Sequence, residues 1–423
     1  MDLNRLRSMH AIIAHHFWDR PGGGELVMAS MAYTMDKMGY QPVLTSLSRF
    51  EPKRYVDWFG VDISSYPYVS MGIKLRSFGL YMRLLVWYPV KIALKRYSAG
   101  ILFIDSPTYK PLINDVKKRN IKLIEYIHFP LDLSFNRKYA DLGYYYTKDM
   151  YMAERYTRFP MNIYAWFYSK LFSRFARENP FQVSAAVLTN SQWTASIIKM
   201  AFNGDPIILN PPLPPNSPIT TINKSFDERK PYVVMVGRYA EEKRYHWVLE
   251  SIAPKLIREL SQVKIIIMGS TGTKTSESYY DSLMKISYKY NMKVGTDISN
   301  TPNANIILMR NVPRQKMINI LDESRVFLHA TVNEHWGIAV AEAMARGLPV
   351  VVHKSGGAWS DLAMNGEVGL GYETADEAVS AIAKLLTDGR AWSDYSRKSL
   401  ERVRDITFDR FVERLAELVK KIL

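Results

Sequence analysis

Two carboxylates, Glu334 and Glu342, stand eight residues apart within Asn333–Val352, which reads NEHWGIAVAEAMARGLPVVV. Ile338–Arg346 is an Ala-rich run of strong helix formers closed by Gly347, a residue suited to a helix C-cap. The helix N-terminus then falls near Gly337 and Ile338, where free backbone N–H groups and the positive end of the dipole favour an anion. A carboxylate just before that end and another two turns in can reach opposite ends of one elongated polar ligand. Roughly ninety residues upstream, Gly237, Arg238 and Lys243 follow an apolar run. Two fixed cations beside backbone N–H groups would clamp a pyrophosphate. Taken singly, each feature has a plainer explanation: a solvated loop acid, a polar spot on a packed helix, surface cations paired with Glu241 and Glu242.

Three further segments carry chemistry. His15–Gly24 (HHFWDRPGGG) is a glycine-rich loop between a strand at Met9–Ala14 and a helix at Glu25–Met38, so Gly23 and Gly24 can bring N–H groups close to a phosphate. Glu125–Pro130 (EYIHFP) puts His128 at the carboxyl end of a buried strand, where open α/β sheets bind ligands. His353–Gly357 (HKSGG) is a second glycine loop, containing Gly356, after the Leu348–Val352 strand. His329, near the end of another buried strand, reads as structural.

The elements that must position these residues alternate strand and helix throughout, which implies an α/β protein with parallel sheets. Other strands are expected at Pro42–Ser46, Ile101–Asp105, Ile121–Ile127, Ala185–Thr189, Tyr232–Val236, Val263–Gly269, Asn305–Met309 and Arg325–Ala330. Helices are expected at Gln315–Asp322, Glu373–Thr387 and Phe408–Ile422. A chain of 423 residues suggests two domains. The stiff proline-rich Leu209–Pro218 lies between them, giving domains at 1–210 and 219–407, a linker at 211–218, and a terminal helix at 408–423.

Hydrophobic content of 47% and charged content of 23% are those of a globular protein. The absence of cysteine excludes disulfides and thiolate metal sites. No apolar run reaches the ~18–20 residues that span a bilayer, and the N-terminal segment lacks the pattern of a cleaved signal, so a cytoplasmic location is expected. Net charge is +15, of which +11 falls in residues 1–210, and a basic half suggests an anionic partner.

The string Glu334-His335-Trp336-Gly337-Ile338, followed by Glu342, Met344, Ala345, Gly347 and Pro349–Val351, resembles the E-x7-E segment of the retaining glycosyltransferases of GT-B type (glycosyltransferase family 4). Gly237-Arg238 with Lys243 is similar to that family's G-R-x4-K donor motif, and Ser355–Gly357 to its S-G-G turn. Tyr126–Pro130, Asn190–Thr194 (NSQWT) and Asn210–Pro212 resemble, in the same order, the cytoplasmic-face α-1,2-mannosyltransferases of lipid-linked oligosaccharide assembly. The chain departs from that branch at Leu131-Asp132, and in having Arg238 where glutamine is common.

The resemblance implies two Rossmann-like domains facing each other across a cleft, with the terminal helix packing back on the first. It implies hexose transfer with retention, best matched by mannose from GDP-mannose to a lipid-linked glycan in an N-glycosylation-type pathway. Arg238 and Lys243 would hold the leaving diphosphate, Glu334 the sugar hydroxyls, Glu342 the ribose diol, and His128 the sugar. Gly23, Gly24, Gly237, Gly337, Ile338 and Gly356 would line the donor. No metal or other cofactor is implied, because cations of the protein stand in for one.

A UDP-sugar donor with a soluble glycan acceptor is the alternative within the class, and a non-catalytic nucleotide-sugar binder would be expected to lack His128, Lys243 or Glu334. Nucleic-acid binding is a minor alternative without a motif, and a dehydrogenase is disfavoured by the lack of G-x-G-x-x-G after the first strand. An anionic membrane surface is the expected partner of Ile63–Ile104, which holds six basic and no acidic residues interleaved with aromatics. Tyr139–Arg177 is a second aromatic-rich basic stretch.

Overall fold

The computed structural model describes residues 9–72, 78–222 and 224–423. The chain divides into two units, residues 1–216 with 406–423, and residues 217–405. The division falls inside the proline-rich stretch that the sequence suggests as a linker. Residues up to 216 are held by the first unit, because Leu213 N donates to Ile406 O (2.8 Å) and Asn216 N to Phe59 O (3.3 Å).

In the first unit the described strands are β1 (His10–Ala14), β2 (Gln41–Ser46), β3 (Tyr68–Ser70), β4 (Ala99–Ile104), β5 (Lys122–Ile127), β6 (Ala186–Thr189) and β7 (Ile207–Ile208). They form one sheet in the order β3-β2-β1-β4-β5-β6-β7, parallel at every pairing. The central strands are fully buried runs such as Ala11–Ala14 and Ile101–Ile104, the pattern of a parallel sheet covered on both faces. The helix Phe408–Ile422 lies against the helix Gly23–Lys37 and buries Phe411, Leu415 and Val419, with the rings of Phe408 and Tyr33 5.2 Å apart.

The second unit repeats the plan with β8 (Lys230–Arg238), β9 (Lys264–Ser270), β10 (Val294–Gly295), β11 (Ile306–Arg310), β12 (Ser324–His329), β13 (Val350–His353) and β14 (Leu370–Tyr372). Their order is β10-β11-β9-β8-β12-β13-β14, again all parallel. The strand order reverses between β1 and β4 in the first sheet and between β8 and β12 in the second. Crevices at the carboxyl ends of such neighbours are where doubly wound sheets bind ligands.

The stretch Ile63–Ile104 contributes to the core of the first unit and leaves Phe78 and Tyr88 exposed. Lys74 and Arg76 lie outside the described residues. Met82, Leu84, Val86, Val90, Ala93 and Leu94 are buried, so the helix Trp87–Arg96 turns its apolar side to the core. Its cations sit at the rim, with Lys91 Nζ 3.8 Å from Asp115, an arrangement in which long side chains snorkel to water.

Candidate functional site

The reversal point of the second sheet gathers three of the residues singled out above. β8 ends at Gly237-Arg238, and the chain makes a short turn, Glu241–Lys243, before entering a helix at Tyr245. A Cβ at Gly237 would stand 2.8 Å from the Tyr245 hydroxyl and 3.5 Å from Cδ and Cε of Lys243. Glycine there leaves room for the Lys243 stem. Lys243 Nζ reaches Glu334 Oε2 at 2.8 Å, and His329 Nε2, at the end of β12, donates to the same oxygen at 3.0 Å.

Burial alone would raise the Glu334 pKa. The Lys243 ammonium and the His329 hydrogen bond overcome it and hold the carboxyl well below the usual range. Burial lowers the His329 pKa despite Glu334, so the ring is neutral and serves as a donor. His329, read from sequence as structural, is thus a direct partner of Glu334. Its signal was its place at the end of the strand beside β8.

The turn bearing Glu334 is tied to the second glycine loop. Asn333 adopts φ 55° and Gly337 φ 97°. Asn333 N donates to Ser355 Oγ (2.7 Å) and Gly357 N to Glu334 O (2.7 Å). Gly356, at φ 77°, comes so near that a Cβ would lie 2.2 Å from Glu334 O, so only glycine fits. The helix Ile338–Ala345 then starts at Gly337 and stops one residue before the expected end, at Arg346, with Gly347 at φ 73° beyond it.

Glu342 is buried on that helix. It accepts from Ser217 Oγ (2.7 Å) and is paired with Arg314, at the start of the helix Arg314–Glu323. Neither partner was singled out from sequence, since nothing in an isolated Arg or Ser marks a contact 28 or 125 residues away. Arg238 stands apart: its side chain is 63% exposed and its Nη2 donates to Glu242 Oε1 at 3.3 Å. This is the surface pairing offered as its plainer explanation.

In the first unit the reversal point between β1 and β4 carries a buried charge cluster. Asp105, just past β4, accepts from His15 Nδ1 (2.6 Å) and from His128 Nε2 (3.2 Å) on the same oxygen. His15 Nε2 lies 3.7 Å from Glu25. Burial opposes a charge on His15, yet Asp105 and Glu25 push its pKa up to about 9. Asp105 is correspondingly held below its ordinary value, with burial overcome chiefly by His15. The helix begins at Gly23, two residues earlier than expected, so Gly23 and Gly24 form its first turn rather than a loop. A Cβ at Gly24 would touch both His15 and His128 at 3.4 Å. His15, His16 and Asp105 bring ligand-type atoms within 4.8 Å of one another, but the charge on His15 and the nearby Arg83 guanidinium, which helps to depress His16, oppose a cation.

The three strings assigned to one family branch form a hydrogen-bonded ladder. Asn190 Nδ2 donates to His128 O (2.8 Å), Asn210 Nδ2 to Asn190 O (2.9 Å), and Tyr126 Oη to Leu209 O (2.8 Å). Ser191 caps the following helix through Thr194 N. The departure at Leu131-Asp132 has a structural partner as well. Asp132 pairs with buried Arg177 at 2.6 Å, and Arg177 also holds Glu125 at 2.9 Å.

Residues 219–402 match the family described as Glycosyl transferases group 1. Among curated relatives, the GDP-Man:Man(3)GlcNAc(2)-PP-Dol alpha-1,2-mannosyltransferase of Homo sapiens is 26% identical over 48% of this chain and 42% of its own length. The enzyme of the same name from Eremothecium gossypii is 27% identical over 41% of this chain and 29% of its own length. The Caenorhabditis elegans enzyme of that name is 24% identical over 96% of this chain and 90% of its own. The chain thus spans less than half the length of the first two relatives. Among solved structures, Anabaena Alr3699/HepE in complex with UDP and glucose aligns over 97% of this chain and 99% of its own, with TM-score 0.65 at 14% identity. WaaG, a glycosyltransferase involved in lipopolysaccharide biosynthesis, aligns over the same shares with TM-score 0.65 at 13% identity. Residues 219–402 are therefore a glycosyl transferases group 1 domain, and the chain has the GT-B fold.

Proposed function

We propose that the chain is a retaining mannosyltransferase that moves mannose from GDP-mannose to a lipid-linked oligosaccharide at the cytoplasmic face of a membrane. The observation that carries the reading is the Lys243–Glu334–His329 cluster at the β8/β12 reversal point. A fixed cation beside a carboxylate kept anionic, on a turn locked by Gly356, suits a diphosphate leaving group next to sugar hydroxyls. The activities for which the curated relatives are named favour mannose and a dolichol-linked acceptor for this chain.

In the proposed reaction the bond from the anomeric carbon to the diphosphate oxygen breaks, and a bond to the acceptor oxygen forms on the same face. The acceptor proton passes to the departing phosphate. Lys243 neutralises that phosphate, and Arg238 joins it on exchanging Glu242 for the diphosphate. The first N–H groups of the helix at Gly337 add donors. Glu334 orients sugar hydroxyls, Glu342 takes the ribose diol, and His128, whose ring Asp105 holds, bonds a sugar hydroxyl. No metal is required on this reading, since protein cations carry the charge.

A thermal-shift panel of GDP, UDP, ADP, GDP-mannose and UDP-glucose tests the donor, because a ligand of the native state raises the melting temperature. GDP and GDP-mannose are expected to give the largest shifts. A larger shift with UDP-glucose would move the assignment to the alternative donor, and no shift with any nucleotide would overturn it.

A further inference from the structure

The helix Met161–Phe175 has two apolar sides, only one of which is used by the fold. Ala165, Tyr168, Ser169 and Phe172 are buried in the first unit. At 100° per residue, Ile163, Trp166, Phe167, Lys170, Leu171 and Arg174 fall on the opposite side, and all six are exposed. Phe167 is 52% exposed and Ile163 49%. Phe159, on the turn leading into the helix, is 80% exposed. A contiguous exposed patch of large apolar side chains marks an interaction surface.

The charge along the helix itself has one sign. No acidic residue occurs between Glu154 and Glu178. Lys170 Nζ sits 3.6 Å above the Trp166 ring, and the Arg137 guanidinium 5.7 Å from it. Arg158 and Arg155 precede the helix, and Glu154 is already 3.4 Å from Arg158. A second copy docking through the same face would set these cations against themselves. An anionic bilayer surface complements both halves of the pattern: Trp, Phe, Ile and Leu enter the headgroup boundary while Lys and Arg meet the phosphates.

We infer that the exposed face of Met161–Phe175, rather than Ile63–Ile104, is the surface by which this protein docks on a leaflet bearing negatively charged headgroups. The inference rests on the reading of a lipid-linked acceptor and assigns it a surface. It explains why an aromatic stripe survives on the outside of a helix whose inner side already completes a core.

Co-sedimentation of the full chain with phosphatidylcholine vesicles, with and without phosphatidylglycerol, decides it. Binding is expected only with the anionic lipid and should fall as salt is raised. Lys170→Glu/Arg174→Glu and Trp166→Ser/Phe167→Ser should each weaken partitioning on the order of tenfold. Both sets of positions are exposed, so melting temperature and the nucleotide shift should stay as in the wild type. Equal binding to neutral vesicles, no binding at low salt, or wild-type binding by both variants would overturn the inference. So would a wild-type dimer, seen by light scattering, that the variants dissolve, since a second copy would then cover the face. A retained nucleotide shift alongside failed vesicle binding removes the docking surface alone. A lost nucleotide shift with vesicle binding intact removes the donor reading instead.

Discussion

Lys243 and Glu334, ninety-one residues apart in the chain, meet at 2.8 Å with both side chains only 19% exposed. The pair closes the reversal point of the second sheet, and His329 shares the same carboxylate oxygen. Because Glu334 is anionic through Lys243, the two act as one unit. Lys243→Ala and Glu334→Ala are each expected to lower turnover by about 10²-fold or more. The double variant should cost little beyond the worse single one, as for residues in direct contact. Steady-state rates with GDP-mannose and a lipid-linked acceptor measure this, and near-wild-type turnover in both folded single variants would take them out of the site.

Gly356→Ala should be disabling for a steric reason. The added Cβ would lie 2.2 Å from Glu334 O on a backbone at φ 77°, so the Asn333–Glu334 turn must shift. Turnover should fall at least tenfold, with a stability loss of about 1–3 kcal/mol. Urea melts and rates measured side by side would expose the error if Gly356→Ala behaved like wild type in either.

His15 makes the first unit sensitive to alkaline pH. Its folded pKa of about 9 lies above the ordinary 6.5, so the folded state binds the proton more tightly than the unfolded chain does. The stabilisation is complete below about pH 6.5 and is lost as pH rises through about 9. Chemical denaturation across pH 6 to 10 should show that decline, and His15→Gln should flatten it. Asp105→Asn, which removes the anion facing His15, should shift the decline to lower pH. A flat wild-type profile would contradict the cluster.

Arg177→Met should be among the most destabilising single substitutions in the chain. It leaves Glu125 and Asp132 buried without their cation, at a cost of about 3–5 kcal/mol. A paired replacement of Asp132 and Arg177 by Leu and Met should be milder than Arg177→Met alone. Circular-dichroism melts compare the two, and the opposite order would show that the ion pair carries little.

Much of the site was legible because its residues sit where strong local signals coincide. Glu334 and Glu342 are bracketed by Gly337, an Ala-rich helix and a continuous apolar strand, each readable within twenty residues. His128 was legible as the end of a buried strand. The rest depended on pairings that no local pattern encodes. Asp105 reads as one acid after an apolar run, and only the adjacency of β4 to β1 and β5 makes it the shared partner of His15 and His128. Arg314 and Ser217 reach Glu342 through the fold alone. The basic, aromatic run at Ile63–Ile104 was only half legible, because composition is silent on which side of a helix faces inward: Val90 and Leu94 are buried while Phe78 and Tyr88 are exposed.

The terminal helix gives the topology a further meaning. Residues 406–423 belong to the unit begun by residues 1–216, so the second unit is written into the chain as an insertion within the first. The second unit is contiguous and can close as soon as its own residues are made. The first must wait, keeping part of the Gly23–Lys37 helix uncovered, until Phe411, Leu415 and Val419 arrive. Order of synthesis and order of completion are therefore reversed: the unit begun first is finished last.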